Sequence, residues 1–516
     1  YSKERQYVLE WLANFSTHIN KHNVKAMIGY SYQYSQYSGF SAENKDFPND
    51  GLGADNLGSG ELAQEEGEVL MGSYKNDSKL ISFFGRVSYD YDSRYFVTAS
   101  LRHEGSSKFG KNHKWGDFPA FSAGWRISQE SFMRDIDWIS ELKVRGDFGV
   151  TGNQEFGSYL SLSTMSGFGY YMYNGKYFQV WGPGKNVNPD LKWEKGKNWN
   201  IGVDFGFLNN RIYGSINYFS RRQQDLLGSY NVSVPPYLFD NTFVNVGTMQ
   251  NIGVELDFNF NVVQSKMFDY NINVIGTWMS NKFLSFSNSE YVGQDYYDVC
   301  STEDPYPFYN LQRIEAGKPL GNFYMWRYAG HTPDGEWLVY DREGDIIRAS
   351  QASDADRTIV GNGMPKFTMS MTHNFRYGAF DLSLFFRGAF GFDIFNIHDF
   401  YYGTRNFPGN LLCKAYGKNF AISPTANPVV CDYFLERGDY FKLDMINLGY
   451  TLKTPNVRFL DGIRVYATVK NVFTLTKFSG VDPSTYQVNG LTPGAQGSRT
   501  YYPATRQFIL GVQLDF

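Results

Sequence analysis

The stretch Thr505–Phe516 reads T-R-Q-F-I-L-G-V-Q-L-D-F. Phe508, Leu510, Val512, Leu514 and Phe516 recur at a strict period of two. Gln507, Gly511, Gln513 and Asp515 fill the alternate positions, with Ile509 the one apolar exception. A β-strand turns successive side chains to opposite faces, so this segment is a ribbon greasy on one side and wet on the other. Two readings fit it. It is the last strand of a soluble antiparallel sheet, or it spans a membrane with its apolar face to lipid and its polar face to an aqueous lumen.

Working outward, the alternation repeats. Ile463, Val465, Ala467 and Val469 oppose Arg464, Tyr466, Thr468 and Lys470, and Phe380, Leu382, Leu384 and Phe386 oppose Asp381, Ser383 and Arg387. Ile252, Val254, Leu256, Phe258 and Phe260 oppose Glu255, Asp257, Asn259 and Asn261, while Tyr270, Ile272, Val274 and Trp278 oppose Asp269, Asn271, Asn273 and Thr277. Carboxylates and amides in mid-strand are poor core residues and ordinary against a water-filled lumen. The opening segments, Gln6–Ile19 and Val24–Ser35, keep the pattern well beyond the roughly five or six residues of a soluble strand and past the 9–11 or so of a tilted spanning strand. Near Met445–Ile446 the apolar phase slips by one, which predicts a β-bulge.

Short turns such as Lys21-His22-Asn23, Asp92-Ser93, Asn209-Asn210 and Tyr377-Gly378 alternate with long connections, the longest being Phe283–Gly363, with room for a further hairpin, and Phe390–Arg437. Gln129–Glu141 has some helical character. The count is about fifteen strands, and short turns alternating with long loops are the habit of outer-membrane barrels. The fold class is therefore all-β: a transmembrane antiparallel β-barrel, incomplete, with residues 1–516 forming one carboxy-terminal portion and long extracellular loops. The terminal strand descends to the periplasm, and alternation makes Gln6–Ile19 descend too. Bacterial single-chain barrels hold even strand numbers, so an odd count predicts further strands before Tyr1. It also predicts that Gln6–Ile19 does not pair with Thr505–Phe516. Tyr1 opens almost directly on a strand pattern with no signal peptide, so it reads as other than a natural start.

Composition agrees with this class. Aromatic residues are 18% of the chain, with 39 Tyr and 44 Phe, which suits girdles at two membrane interfaces. The net charge of -4 lacks the basic excess of a nucleic-acid binder. The negative mean hydropathy fits a barrel, which shows lipid only alternate residues. No apolar run approaches the roughly 18 residues of a membrane-spanning helix.

Motifs with chemistry are few. Gly105–Asn112, G-S-S-K-F-G-K-N, falls one residue short of a phosphate-binding loop, and a strand leads into it with no helix after it. The seven His are scattered, without H-E-x-x-H, and there is no G-x-S-x-G, so no enzyme, metal or cofactor is expected. Asp334, Asp341, Glu343 and Asp345 read as solvated loop acids in preference to a calcium site. Tyr170, Tyr171, Tyr173, Tyr177, Phe178 and Trp181 cluster in one predicted outer loop, and Phe400, Tyr401 and Tyr402 in another. Flat rings with polar edges suit sugar faces or peptide side chains, so Tyr170, Tyr171, Tyr173, Trp181, Phe400, Tyr401 and Tyr402 are candidate substrate contacts, with loop packing the alternative. Cys413 and Cys431 share one loop with seventeen residues between them. They are expected to form a disulfide suited to an oxidising exterior, with Cys300 unpaired and free thiols the alternative.

Several stretches resemble the SusC-like branch of the TonB-dependent outer-membrane transporters. They are Tyr89–Gly110 (Y-D-Y-D-S-R-Y-F-V-T-A-S-L-R-H-E-G-S-S-K-F-G), Trp115–Ser128 (W-G-D-F-P-A-F-S-A-G-W-R-I-S), Leu142–Gln154 (L-K-V-R-G-D-F-G-V-T-G-N-Q) and Asn188–Glu194 (N-P-D-L-K-W-E). Asn245–Leu256 (N-V-G-T-M-Q-N-I-G-V-E-L), Leu443–Leu452 and Lys470–Pro483 continue the series in order. The resemblance implies a barrel of about 22 strands around a plug, energy from the TonB complex, and a SusD-like surface lipoprotein over the mouth, resting mainly on the loops Phe283–Gly363 and Phe390–Arg437. It implies active import of a glycan or oligopeptide across the outer membrane of a Gram-negative bacterium, and allows a dimer of transporter–lipoprotein pairs. The plug, the TonB-contacting segment and roughly the first seven strands are not in this chain. A passive porin and a secreted all-β binding module are the competing readings.

Overall fold

A computed structural model describes the chain except residues 48, 50, 52–55, 62–69, 289–290, 292–294, 408, 454–459, 487–489, 497–498, 500–502 and 516. Two compact units are present: Tyr1–Ala123, Asp147–Lys197 and Gln223–Val246 form one, and Gly124–Gly146, Asn198–Arg222 and Gly247–Phe516 the other.

Fifteen strands form one sheet in chain order. They are Ser2–Ile19, His22–Glu43, Leu70–Tyr91, Tyr95–Ser106, Trp115–Arg126, Ile139–Asn153, Glu194–Phe207, Ile212–Asn231, Asn241–Gln264, Phe268–Ser285, Phe367–Tyr377, Phe380–Phe390, Tyr440–Lys453, Gly462–Thr476 and Gln507–Asp515. Every strand marked by the alternation is in it. The sheet order starts at Ser2–Ile19 and stops at Gln507–Asp515, and among the described residues no ladder joins those two. Several strands outrun their sequence signal. Asn241–Gln264 has 24 residues, although alternation marks only Ile252–Asn261. Backbone pairing continues where Thr, Gly and Gln break the pattern, because the ladder needs only N–H and C=O groups.

The ladders of the second unit fix the two faces. Val465 pairs with Val512, Ala467 with Leu510 and Val469 with Phe508, while Arg464 pairs with Gln513 and Tyr466 with Gly511. Residues directly opposite share a face, so the apolar set continues from strand to strand: Leu448 opposite Ala467 and Leu382 opposite Leu448. That face is bare to solvent in the chain alone, with Leu510 85% and Phe508 75% exposed, as a lipid-facing surface must be. Phe516 lies outside the described residues. Rings gather at the two ends of this face. Trp278, Phe367 and Phe390 stack in series, with centroids 4.3 and 6.0 Å apart. At the other strand ends Tyr270 stacks on Phe375 at 4.3 Å and Phe380 meets Tyr450 at 4.6 Å.

The predicted bulge is present, one residue earlier than the phase slip. Leu443 faces Phe386 and Met445 faces Phe385, so Asp444 is the extra residue. Its carboxylate accepts from Arg387 Nε at 2.8 Å. The helical connector forms as two single 3-10 turns, Ile127–Gln129 and Ser131–Met133.

In the first unit the core is Phe109, Phe118, Leu191 and Trp193, all buried. Trp193 lies 4.5 Å from Phe109 and edge-on to Phe118 at 5.3 Å, and its indole N–H donates to Lys114 O at 3.0 Å. Gly110 is obligatory here, because a Cβ would sit 1.8 Å from Pro189 O.

Candidate functional site

The polar strand face is a chain of ion pairs and amides. In the first unit Arg102 donates to Glu104 at 2.5 Å and to Ser82 Oγ at 2.7 Å. In the second, Arg145 holds Asp204 at 3.1 Å and Asn217 at 2.6 Å, Arg126 holds Glu141 at 2.9 Å, and Arg464 holds Asp381 at 2.6 Å and Asn447 at 2.9 Å. Asn273 bridges Asp257 at 2.8 Å and Asn259 at 2.9 Å. Such half-exposed pairs add little stability, roughly 0–1 kcal/mol each. Their effect is to line one face with fixed donors and acceptors.

The second unit also carries a folded loop body. Residues between Phe283 and Gly363 form a four-stranded and a three-stranded sheet, more than the single hairpin the sequence suggested. Together with Phe390–Arg437 they enclose a core that includes Leu311, Phe323, Trp326, Trp337, Phe395 and Phe434. A polar knot, partly buried, ties it down. Lys414 Nζ donates to Asp399 and to Ser479, both at 2.7 Å, and Asn396 donates to Glu436 at 2.9 Å. Burial alone would raise the Glu436 carboxyl. Hydrogen bonds from Ser479 and Asn396, with the Lys414 charge, outweigh it and hold the group below its ordinary value.

The candidate contact rings separate into two kinds. Tyr170, Tyr171, Tyr173, Tyr177, Phe178 and Trp181 stand exposed on a two-stranded hairpin, Met165–Tyr173 with Lys176–Pro183, where they are free to meet another molecule. Phe400 and Tyr401 are corrected to core residues, 1% and 0% exposed. The Tyr401 hydroxyl donates to Glu303 O at 2.7 Å, and the short helix Ile397–Tyr402 turns both rings inward. Tyr402 is half-buried against Phe407.

The expected disulfide is also corrected. All three cysteines are free thiols. Cys431 is buried in the loop core beside Phe434 and Trp326 while Cys413 is exposed, so shared loop membership did not bring the sulfurs together. Burial pushes the Cys300 thiol up to about 12 and the Cys431 thiol further up.

Gly105–Asn112 is an anchor. Lys108 Nζ donates to Phe156 O at 2.9 Å and Gln154 O at 3.3 Å, and burial lowers its pKa. Among the described residues no group of acids, His or Cys is placed to hold a metal ion. Asp341 instead caps its own turn, accepting from the N–H groups of Gly344 and Asp345, both at 2.8 Å. Sequence reading missed Lys442, which is 1% exposed and donates to Ser484 at 3.0 Å and Asp482 at 3.4 Å. No local signal marks it, because its partners lie forty residues on.

Comparison with known proteins places this geometry. The family described as TonB dependent receptor-like, beta-barrel matches residues 1–472. The TonB-dependent receptor SusC of Bacteroides thetaiotaomicron is 30% identical over 468 residues, 86% of this chain and 44% of that protein. The TonB-dependent receptor P3 of Formosa agariphila is 28% identical, over 96% of this chain and 51% of its own length. The chain thus spans about half the length of the curated relatives it matches. Among solved structures, that of the RagAB peptide transporter superposes with a TM-score of 0.80 at 22% identity, covering 100% of this chain and 56% of that one.

Proposed function

Because the chain belongs to the TonB-dependent receptor β-barrel family, a family of the outer membrane, we propose that it is the carboxy-terminal part of the barrel of an active importer energised by the TonB complex. The cargo is an oligopeptide or a glycan. The name of the RagAB peptide transporter favours the peptide. A SusD-like lipoprotein rests on the outer loops, chiefly Phe283–Gly363 and Phe390–Arg437, and the exposed rings Tyr170, Tyr171, Tyr173 and Trp181 meet cargo or that partner.

The observation that carries this reading is the division of spanning-length strands into a bare apolar face and a face of fixed ion pairs and amides. Long ordered loops with their own core add to it, since loops of that length usually have a task of their own. The chain works by binding and passage, with no covalent step. The polar face offers paired donors and acceptors, so cargo exchanges hydrogen bonds with the wall instead of losing them.

The test is uptake of a labelled oligopeptide mixture by cells expressing the complete protein, with and without TonB. Accumulation that requires TonB supports the proposal. Equal entry without TonB would establish a passive pore in its place. Purification in mild detergent with no lipoprotein attached would remove the partner from the account.

A further inference from the structure

In the first unit the strands Ser2–Ile19, His22–Glu43 and Leu70–Tyr91 pair without a break in register, so each residue keeps its face along the ladder. Exposed Leu9, Trp11, Phe83 and Val87 identify the lipid side. Two rows of rings on that side mark the limits of the bilayer. The lower row is His22, Tyr91 and Tyr95, with successive centroids 4.9 and 6.3 Å apart. The upper row has Tyr30 against Phe83 at 5.2 Å and Tyr7 against Tyr34 at 6.1 Å.

At and above the upper rings the same face turns basic. Tyr34 pairs with Lys79, Arg5 pairs with Gln36, and Lys3 and Lys75 both pair with Ser38. Directly opposite residues share a face, so all four cations project from the lipid side. The rise from His22 to Tyr34 is about 40 Å along the strand, or about 30 Å along the membrane normal at a tilt of about 40°. That clears the apolar band of about 25 Å and sets the cations at headgroup height, at the end with the long connections. Lys3 and Lys75 stand two strands apart, about 10 Å, and Arg5 lies one rung, about 7 Å, below Lys3. Side chains of that length can close on one phosphate from both sides.

The charges are sorted by face as well as by height. The inner face of the same rungs carries Glu4, Gln6, Asn76 and Ser78. Solubility alone would accept either sign on either face. The lipid side has one carboxylate here, Asp77, opposite Gln36, and the Tyr159 hydroxyl donates to it. Among the described residues no acceptor reaches the exposed side chains of Lys3, Arg5, Lys75 or Lys79.

Headgroups meet this face differently. A neutral sugar leaves the cations without a counter-charge, and a zwitterionic headgroup brings a further cation into the patch. A phosphate monoester supplies more than one negative charge and three strong acceptors. We propose that this face binds the phosphate groups of a lipid in the outer leaflet, with Lys3, Arg5, Lys75 and Lys79 around the phosphate and the upper rings against the acyl chains. Continuity with the lipid-facing rings favours a lipid over a free anion. The site is independent of the cargo and of the import reading.

The test is native mass spectrometry of the complete protein in mild detergent with diphosphoryl lipid A, its dephosphorylated form, or inorganic phosphate. Diphosphoryl lipid A should be retained and the dephosphorylated form lost. A basic residue at a membrane surface is worth about a factor of five, so Arg5→Gln with Lys79→Gln should weaken retention about 25-fold. Arg5→Lys with Lys79→Arg keeps the charge and should keep the lipid. Lys25→Gln with Arg86→Gln removes the same charge from the inner face and should leave retention unchanged. Equal retention of the dephosphorylated lipid, or no retention of either, would overturn the proposal. So would an equal loss in the inner-face pair or a loss in the charge-keeping pair. Full displacement of the lipid by inorganic phosphate would assign the cations to a free anion and overturn it as well.

Discussion

Replacing Asn245 by Ala should loosen one segment of the first unit without disturbing the second. Asn245 is 6% exposed, and its side chain serves three backbone groups. Its Oδ1 accepts from Lys192 N at 2.9 Å, and its Nδ2 donates to Lys192 O at 2.7 Å and Asp225 O at 2.9 Å. The amide therefore acts as a short artificial strand, clipping N-P-D-L-K-W-E to N-V-G-T-M-Q. A buried group left unsatisfied costs about 1–3 kcal/mol. Water reaches the half-buried Lys192 once the amide is gone, so the set should cost about 2–4 kcal/mol. At about 1.4 kcal/mol per factor of ten, local opening of Asn188–Glu194 becomes roughly 30- to 1,000-fold more frequent. Hydrogen exchange read by mass spectrometry should show that acceleration for peptides covering 188–194, with strands such as Gly462–Thr476 unchanged. Equal protection in both proteins would refute the clip, and a uniform loss across the chain would mean that Asn245 supports global folding instead.

Three further outcomes follow from the geometry. Under native conditions a water-soluble maleimide should label the exposed Cys413 first and leave Cys300 and Cys431 unmodified, since burial raises both of those thiols; labelling of Cys300 alone would restore the disulfide. Glu436 is held below its ordinary 4.5, so its contribution to the loop body is complete above that pH and is lost as the pH falls through the folded value; pepsin, which is active in acid, should cut residues 390–437 more slowly in the native protein than in Glu436→Gln at pH 5, and the difference should vanish as the pH falls below about 4.5. Leu510→Arg should destabilise the barrel by about 2–4 kcal/mol in lipid, measured by urea unfolding in vesicles, while Gln513→Arg on the other face should cost less than about 1 kcal/mol.

The strands were legible because their signal is local. A period of two needs only neighbours in sequence, and it marked all fifteen strands of the sheet. The bulge was legible to within one residue, since the phase slip shows that a residue is extra and only the strand register, with Leu443 against Phe386 and Met445 against Phe385, fixes which one. The loops were not legible. Phe400 and Tyr401 look like contact residues because they sit among polar loop residues, yet they are buried by segments nearly a hundred positions away, as the bond from Tyr401 to Glu303 shows. Cys431 misled for the same reason: sharing a loop limits sequence distance, whereas the packing around Trp326 and Phe434 decides where the sulfur points.

The central claim is that alternate residues of the strands face lipid and a polar interior. Spin labels placed singly at Leu510, Val465, Gln513 and Arg464 in the complete protein, reconstituted in vesicles, test it most directly. Oxygen partitions into lipid and a nickel chelate into water, so their relative effects on relaxation report the surroundings of each label. The account predicts strong oxygen and weak nickel accessibility at Leu510 and Val465, and the reverse or restricted access to both at Gln513 and Arg464. Lipid-like accessibility at Gln513 and Arg464, with water-like accessibility at Leu510 and Val465, would contradict it.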